Sequence, residues 1–193
     1  NVNLTDRFHL VHATHLTQQE TEGIANTKAN VVLCPTTEGN LGDGIFPLTQ
    51  FQKLNGNWSI GTDSHIGINP LEELRLLDYG QRLTSHKRNI FTSKNEGNSA
   101  NCALNKNLLA GNYNEIYFEE GEYFNAIIYN ADSSLIANSS IENLTNTIVY
   151  SSDSNMQLGT ICNGKLVSYK GKHIKQEKIN NNFKVSMSEL KNR

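Results

Sequence analysis

A carboxylate, a hydroxyl and an imidazole stand in a row at Asp63, Ser64 and His65, directly after the apolar stretch NWSIGT. A charge at the end of a buried strand is costly to seat without a partner. Asp63 therefore lies in solvent, caps a turn by bonding its own backbone, or is paired with a cation. Two other apolar runs end the same way: FHLVHATH carries His12 and His15, and VVLCPTTEGN carries Glu38 and Asn40. Zinc accepts both carboxylate oxygen and imidazole nitrogen, so a divalent metal is one candidate for the cation. Neither HxH nor HExxH occurs in the chain, so a full ligand set of the usual spacing is missing from it. Ser64 and His65 are not read as a nucleophile and its base, because adjacent strand-end residues point apart and no third member is evident.

These groups matter together only if the elements beneath them bring them to one rim. The first half of the chain repeats strand, loop and helix with a period of roughly 25 residues. Phe8 to His12 is a short apolar run, followed by Thr17 and Glu20 at capping-box spacing. Asn30 to Pro35 has a continuous Val-Val-Leu core, as expected of a strand covered on both faces of a parallel sheet. The loop TTEGNLGDGIF leads to a short helical stretch around Leu48 to Leu54, then to the strand Trp58 to Asp63. Asn69 is placed to cap the next helix, Pro70 suits its first position, and Leu71, Leu74, Leu77 and Tyr79 recur on one face. Such units imply right-handed parallel crossovers, in an open sheet or part of a barrel. In parallel α/β folds functional groups gather at the carboxyl ends of the strands, and that rule puts His12, Glu38 and Asp63 on a shared rim.

From about residue 113 the texture changes to short β-rich runs, EIYF, NAIIYN, NTIVYS, LGTIC and KLVSYKG, with Asn163-Gly164 as a type I′ hairpin signal. This reads as a separate small sheet, ending in a polar, helical tail. With 193 residues, 37% of them hydrophobic, the chain can bury one substantial core. Its formal net charge of −2, with both signs scattered, creates no field that favours nucleic acid or a membrane surface. No apolar run approaches membrane-spanning length and no leader pattern opens the chain, so it reads as soluble and cytoplasmic. Cys34, Cys102 and Cys162 are far apart and odd in number, which reads as buried free thiols. The Asn-x-Ser/Thr sites at Asn3, Asn57, Asn138 and Asn143 carry no weight in so Asn-rich a chain. The start on Asn1, close to an apolar strand, reads as the middle of a protein.

FHLVHATHLTQQE, VVLCPTTEGNLGDGIFPL and IGTDSHIGINPLEELRLLDYGQRL, in that order, resemble the last three barrel strands of the metal-dependent amidohydrolase superfamily. GEYFNAIIYN and NGKLVSYKGKH resemble its closing β-sandwich segment, so the likeness runs over essentially the whole chain. Within the superfamily the chain is most similar to the formimidoylglutamate deiminases, on Glu38, on the Ser64-His65 pair and on the EELRLLDYGQRL run. The fold this implies is a partial (β/α)8 TIM barrel, strands 6–8 with their helices, over residues 1–112. A β-sandwich segment follows over 113–175, and a tail over 176–193. The activity it implies is zinc-dependent hydrolysis of N-formimidoyl-L-glutamate to N-formyl-L-glutamate and ammonia, with another divalent metal as an alternative.

By the same resemblance Asp63 is a metal ligand and takes the proton of the attacking water, and His12 orients that water and steadies the tetrahedral carbon. Glu38 either meets a substrate nitrogen or pins its own loop. Ser64 and His65 fall on the substrate side, with His65 either touching substrate or holding Asp63. His15 reads as a packing residue, Asn40 and Asp43 as turn formers, and Arg82 as half of a structural ion pair. His9, His86 and His173 carry no functional claim. The family's other metal ligands lie upstream of the match and are not in this chain, so the piece alone is expected to be inactive and to need the amino-terminal half of the same polypeptide. Its Ala-Asp in the sandwich is Phe124-Asn125 here. A homodimer is what the family implies. The competing readings are another superfamily deaminase or chlorohydrolase acting on a ring substrate, and a non-catalytic scaffold.

Overall fold

Three short runs of apolar and β-branched residues pair in parallel in the computed structural model, which describes residues 2–64, 67–91, 99–110 and 119–192. They are β1 (His9–Val11), β2 (Asn30–Leu33) and β3 (Asn57–Ile60), with β2 in the centre. Leu10 aligns with Val31 and Val31 with Trp58, while Leu33 aligns with Ile60. This row faces the helices, and Val31, Leu33 and Trp58 are fully buried there. The opposite row contains His9, Val11, Asn30, Val32 and Ser59 by the two-residue alternation of strands.

The helices between the strands begin where the sequence chemistry says they should. In α1 (Gln18–Thr27) the Thr17 hydroxyl accepts from Glu20 N at 3.2 Å, and Glu20 Oε2 accepts from Thr17 N at 2.8 Å. The Thr17 N–H, and after it the Thr17 hydroxyl, hold the Glu20 carboxyl below its ordinary pKa. α3 (Leu48–Lys53) presents Leu48 and Phe51 to the core. α4 (Pro70–Ser85) starts on Pro70, with Asn69 Oδ1 accepting from Leu71 N at 3.1 Å. α5 (Ser99–Ala110) packs beside β3, and Trp58 stacks on Phe91 with ring centroids 5.5 Å apart.

Two stretches depart from the sequence reading. The segment after β2 forms a helix, α2 (Pro35–Leu41), where a loop is expected. Pro35 supplies the φ of the first helical position and Gly42, at φ 73°, ends the helix in the left-handed region. NTIVYS, expected as a strand, lies in α6 (Ile141–Ser151). Leu144, Ile148 and Thr145, Val149 recur at a spacing of four, so tertiary packing on a helical face overrides the β propensity of Thr-Ile-Val-Tyr. Val149 is fully buried, and the Tyr150 hydroxyl donates to Asp78 Oδ2 of α4 at 2.7 Å.

α6 belongs to the compact unit of residues 1–115 and 139–151. A second unit comprises residues 116–138 and 152–193. Its four antiparallel strands are β4 (Ala126–Tyr129), β5 (Gln157–Cys162), β6 (Lys165–Tyr169) and β7 (Lys172–His173), adjacent in chain order. Asn163 and Gly164 turn between β5 and β6 with φ of 48° and 72°, as a type I′ hairpin requires. The Phe124-Asn125 pair clamps that turn: Phe124 O accepts from Gly164 N at 2.8 Å and Asn125 Oδ1 from Asn163 N at 3.0 Å. The tail is helical, α7 (Gln176–Lys191), and exposed along its length. The EIYF run lies outside the described residues.

Gly56 precedes β3 under the Phe51 ring, where an added Cβ would stand 2.4 Å from Phe51 Cε1. That ring is fully buried and has no room to retreat. Gly56→Ala is expected to destabilise the native protein by about 1–3 kcal/mol. Gly23→Ala, in α1 with open space around it, is expected to stabilise by about 0.5–1 kcal/mol. Urea denaturation of the two variants measures the opposite signs, and a neutral Gly56→Ala would contradict this packing.

Candidate active site

The carboxyl ends of the three strands supply His12, Glu38 and Asp63. His12 N donates to Val32 O at 2.8 Å, extending the β1–β2 ladder by one rung, and Gly61 N donates to Leu33 O at 2.9 Å on the other side. The chain then turns sharply. His12, Ala13 and Asp63 adopt φ of 67°, 50° and 47°, a region that disfavours L-residues by roughly 1–2 kcal/mol each. Left-handed residues after both outer strands, β1 and β3, are the kind of backbone strain that collects at functional sites.

Glu38 is the buried member of the group. Its side chain is 5% exposed and its Oε1 accepts from Cys34 N at 2.8 Å, closing the first turn of α2. The same oxygen lies 3.2 Å from His12 Nδ1. An ionised carboxylate only accepts, so Nδ1 carries the proton in this pair and Nε2 faces outward. Nε2 is 3.7 Å from Asp63 Oδ2, too far for a hydrogen bond. His12 and Asp63 are the accessible members, with side chains 33% and 40% exposed.

Helix α2 holds this arrangement through three successive residues. Thr36 N donates to Glu73 Oε2 of α4 at 3.0 Å, and the Thr36 hydroxyl donates to Glu73 Oε1. The Thr37 hydroxyl donates to Thr62 O, next to Asp63, at 3.2 Å. Glu38 then meets His12. The sequence reading missed Glu73, Thr36 and Thr37. A signal was present for the first: Glu73 falls on the buried stripe of α4 beside Leu74, Leu77 and Asp78, and a carboxylate on such a stripe implies a specific donor.

The remaining candidates fall elsewhere. Ser64 follows Asp63 and is exposed, while His65 lies outside the described residues. His15 is exposed, with its ring beside Gly44. Asn40 sits inside α2, where a turn former is expected, and Asp43 lies just past its C-cap, outside the helix. Arg82 pairs with fully buried Asp78 at 2.5 Å and lies over the Tyr79 and Tyr150 rings. Burial, then the Asp78 hydrogen bond and charge, push the Tyr150 hydroxyl well above its ordinary pKa.

As a metal site the rim fits one ligand. Asp63 offers an accessible carboxylate with no hydrogen bond to the imidazole beside it. A zinc site takes about four ligands, and among the described residues no three His, Cys, Asp or Glu side chains converge to hold an ion.

No protein-family model matches the chain. It is 51% identical over 89 residues to formimidoylglutamate deiminase of Pseudomonas aeruginosa, spanning 46% of this chain and 20% of that protein. It is 33% identical over 72 residues to 5-methylthioadenosine/S-adenosylhomocysteine deaminase of Pyrococcus furiosus, over 37% of this chain and 17% of the relative. In three dimensions it matches an amidohydrolase from Brucella melitensis at TM-score 0.84 and 28% identity, over 98% of this chain and 42% of that one. A Xanthomonas campestris adenosine deaminase with bound zinc matches at TM-score 0.78 over 98% of this chain and 44% of its own, and its 17% identity speaks for the fold alone. The chain thus spans a fifth or less of these two curated relatives and about two fifths of the solved structures.

The fold and its strand-end rim place the chain in a mixed α/β class whose solved neighbours are amidohydrolases and deaminases. Within that class its sequence resembles formimidoylglutamate deiminase.

Cys34 caps α2 beside this rim, buried, whereas Cys162 is exposed. Burial, reinforced by the charges of Glu38, Asp63 and Glu73, pushes the Cys34 thiol up to about 11. Almost no thiolate exists there at about pH 8. Maleimide at that pH is expected to label Cys162 and spare Cys34 in the native protein, with both labelled in urea. Mass spectrometry reads the outcome, and rapid native labelling of Cys34 would refute its placement.

Proposed function

We propose that this chain is the carboxyl-terminal part of a zinc-dependent formimidoylglutamate deiminase of the amidohydrolase superfamily, converting N-formimidoyl-L-glutamate and water to N-formyl-L-glutamate and ammonia. The observation that carries the reading is the His12–Asp63 pair on one rim, with Glu38 fixing the imidazole from behind, in a chain 51% identical over its matched residues to such an enzyme. In this reading β1–β3 are the last three strands of a (β/α)8 barrel over residues 1–112, the second sheet is a sandwich segment over 113–175, and 176–193 form the tail. The outward row of the parallel sheet supports the barrel. Val11 is 52% exposed on it, as a barrel interior would be when the other strands belong to the rest of the polypeptide.

Asp63 would hold the metal together with ligands contributed from outside this chain. Bound there, a zinc ion supplies Lewis acidity that brings the pKa of water toward neutrality. Asp63 takes the proton from the water that attacks the formimino carbon. His12, its tautomer set by Glu38, directs Nε2 at the reacting centre and steadies the charge that develops on the tetrahedral carbon's oxygen. The proton then passes to the amino nitrogen as its bond to carbon breaks, releasing ammonia and leaving the formyl group. The buried position of Glu38 favours its role behind His12 over direct contact with substrate. Ser64 and His65 remain on the substrate side of this reading. The active protein is cytoplasmic and homodimeric in the same proposal, and this chain alone is inactive.

The similarity to a Pyrococcus deaminase named for 5-methylthioadenosine and S-adenosylhomocysteine favours a second reading, in which the substrate is a purine ring. In the complete polypeptide, N-formimidoyl-L-glutamate is expected to release ammonia. Asp63→Asn is expected to lower kcat by about a thousandfold or more and reduce zinc content, and His12→Asn to lower kcat by about 10²–10⁴-fold with zinc retained. Turnover of 5-methylthioadenosine with none of formimidoylglutamate would replace the first reading with the second. A zinc-free protein indifferent to both substitutions would mark a scaffold.

A further inference from the structure

The contacts of helix α2 run from a fully buried acid in α4 to the accessible imidazole of the rim. Glu73 is buried with both carboxylate oxygens engaged, one by Thr36 N and one by the Thr36 hydroxyl. Two positions on, Glu38 holds His12 Nδ1, and the intervening Thr37 holds the carbonyl next to Asp63. A helix of seven residues has few bonds of its own to keep it in place. Its position is therefore set by these external ties.

We infer that Glu73 and Thr36 are positioning residues of the deaminase site, fixing helix α2 so that Glu38 selects the His12 tautomer and Thr37 fixes the backbone at Asp63. The inference deepens the proposed function and rests on that reading for the identity of the reaction. Neither residue touches the rim itself. Thr36 and Glu73 act through Glu38, and an error of a fraction of an ångström at α2 is delivered to both reacting side chains at once.

The hydroxyl of Thr36 is the tie that can be cut with least change of volume. In the complete, zinc-loaded polypeptide, Thr36→Val is expected to lower kcat by about tenfold with KM and zinc per chain little changed, while Thr36→Ser restores the wild-type rate. Glu73→Gln, which turns one acceptor into a donor facing a donor, is expected to change kcat in the same direction. A structural role alone would multiply with any other defect, so the decisive readout is coupling. In a His12→Asn background Thr36→Val is expected to cause a clearly smaller loss than in the wild type, the part delivered through Asp63 alone. The ring nitrogens of His12 supply a readout without turnover: in Thr36→Val their ¹⁵N shifts are expected to move from the Nδ1-protonated pattern toward a tautomer mixture. Unchanged shifts, an unchanged kcat, or losses that multiply with His12→Asn would overturn the inference. Coupling is read on whichever of formimidoylglutamate and 5-methylthioadenosine the wild type turns over. Failure of the formimidoylglutamate assay alone thus removes the substrate assignment and leaves the positioning role to be judged on its own result.

Discussion

The rim depends on one buried carboxylate. Glu38 sits at the first turn of α2, out of water, and a charge so placed costs several kcal/mol unless its lone pairs are met. Cys34 N and His12 Nδ1 meet those of Oε1. The need runs both ways: the imidazole requires an acceptor behind it to hold one tautomer and one ring orientation. Satisfying Glu38 thus fixes His12, and it ties the end of β1 to the end of β2 where the ladder has already stopped.

The parallel sheet beneath has two unlike faces. Val31, Leu33 and Trp58 bury completely against helices, while the row that includes His9 and Val11 retains polar and accessible positions. On that second row Asn30 Nδ2 donates to Ser59 Oγ at 2.8 Å and lies 3.2 Å from His9 Nδ1. A polar ladder satisfied across three strands tolerates a face that other strands would close, whereas an all-apolar row there would expose surface prone to aggregation.

Elements with strong local chemistry were legible in the sequence. The Thr17–Glu20 capping box, the Asn69-Pro70 helix start and the Asn163-Gly164 hairpin each declare themselves through residues that need a particular backbone, and each appears where expected. The order of the three strands and the helical tail were legible too. Two elements were not read correctly. α2 was hidden by Gly39, Gly42 and Gly44, although Pro35 and Gly42 bracket it with the usual start and stop. α6 was hidden by its β-branched run, whose helical spacing matters only once α4 offers a surface to pack on. The rim residues His12, Glu38 and Asp63 were identified by position at strand ends, but their order of contact was beyond one-dimensional reading. The Glu73 tie spans 37 residues, and no local pattern announces a partner at that distance.

Exposure across the rim argues for a division of labour. Glu38 is nearly inaccessible, His12 a third exposed and Asp63 more open still. A group that must exchange protons with water or substrate gains from access, because its charge changes during the reaction. A group that only orients another gains from burial, where its hydrogen bonds are stronger and water competes less. The gradient therefore runs in the direction that the proposed roles, proton transfer at Asp63 and orientation by Glu38, would require. It also bears on the choice Glu38 left open in the sequence: Oε1 is already shared between a backbone N–H and an imidazole, so a substrate nitrogen would have to be met by Oε2.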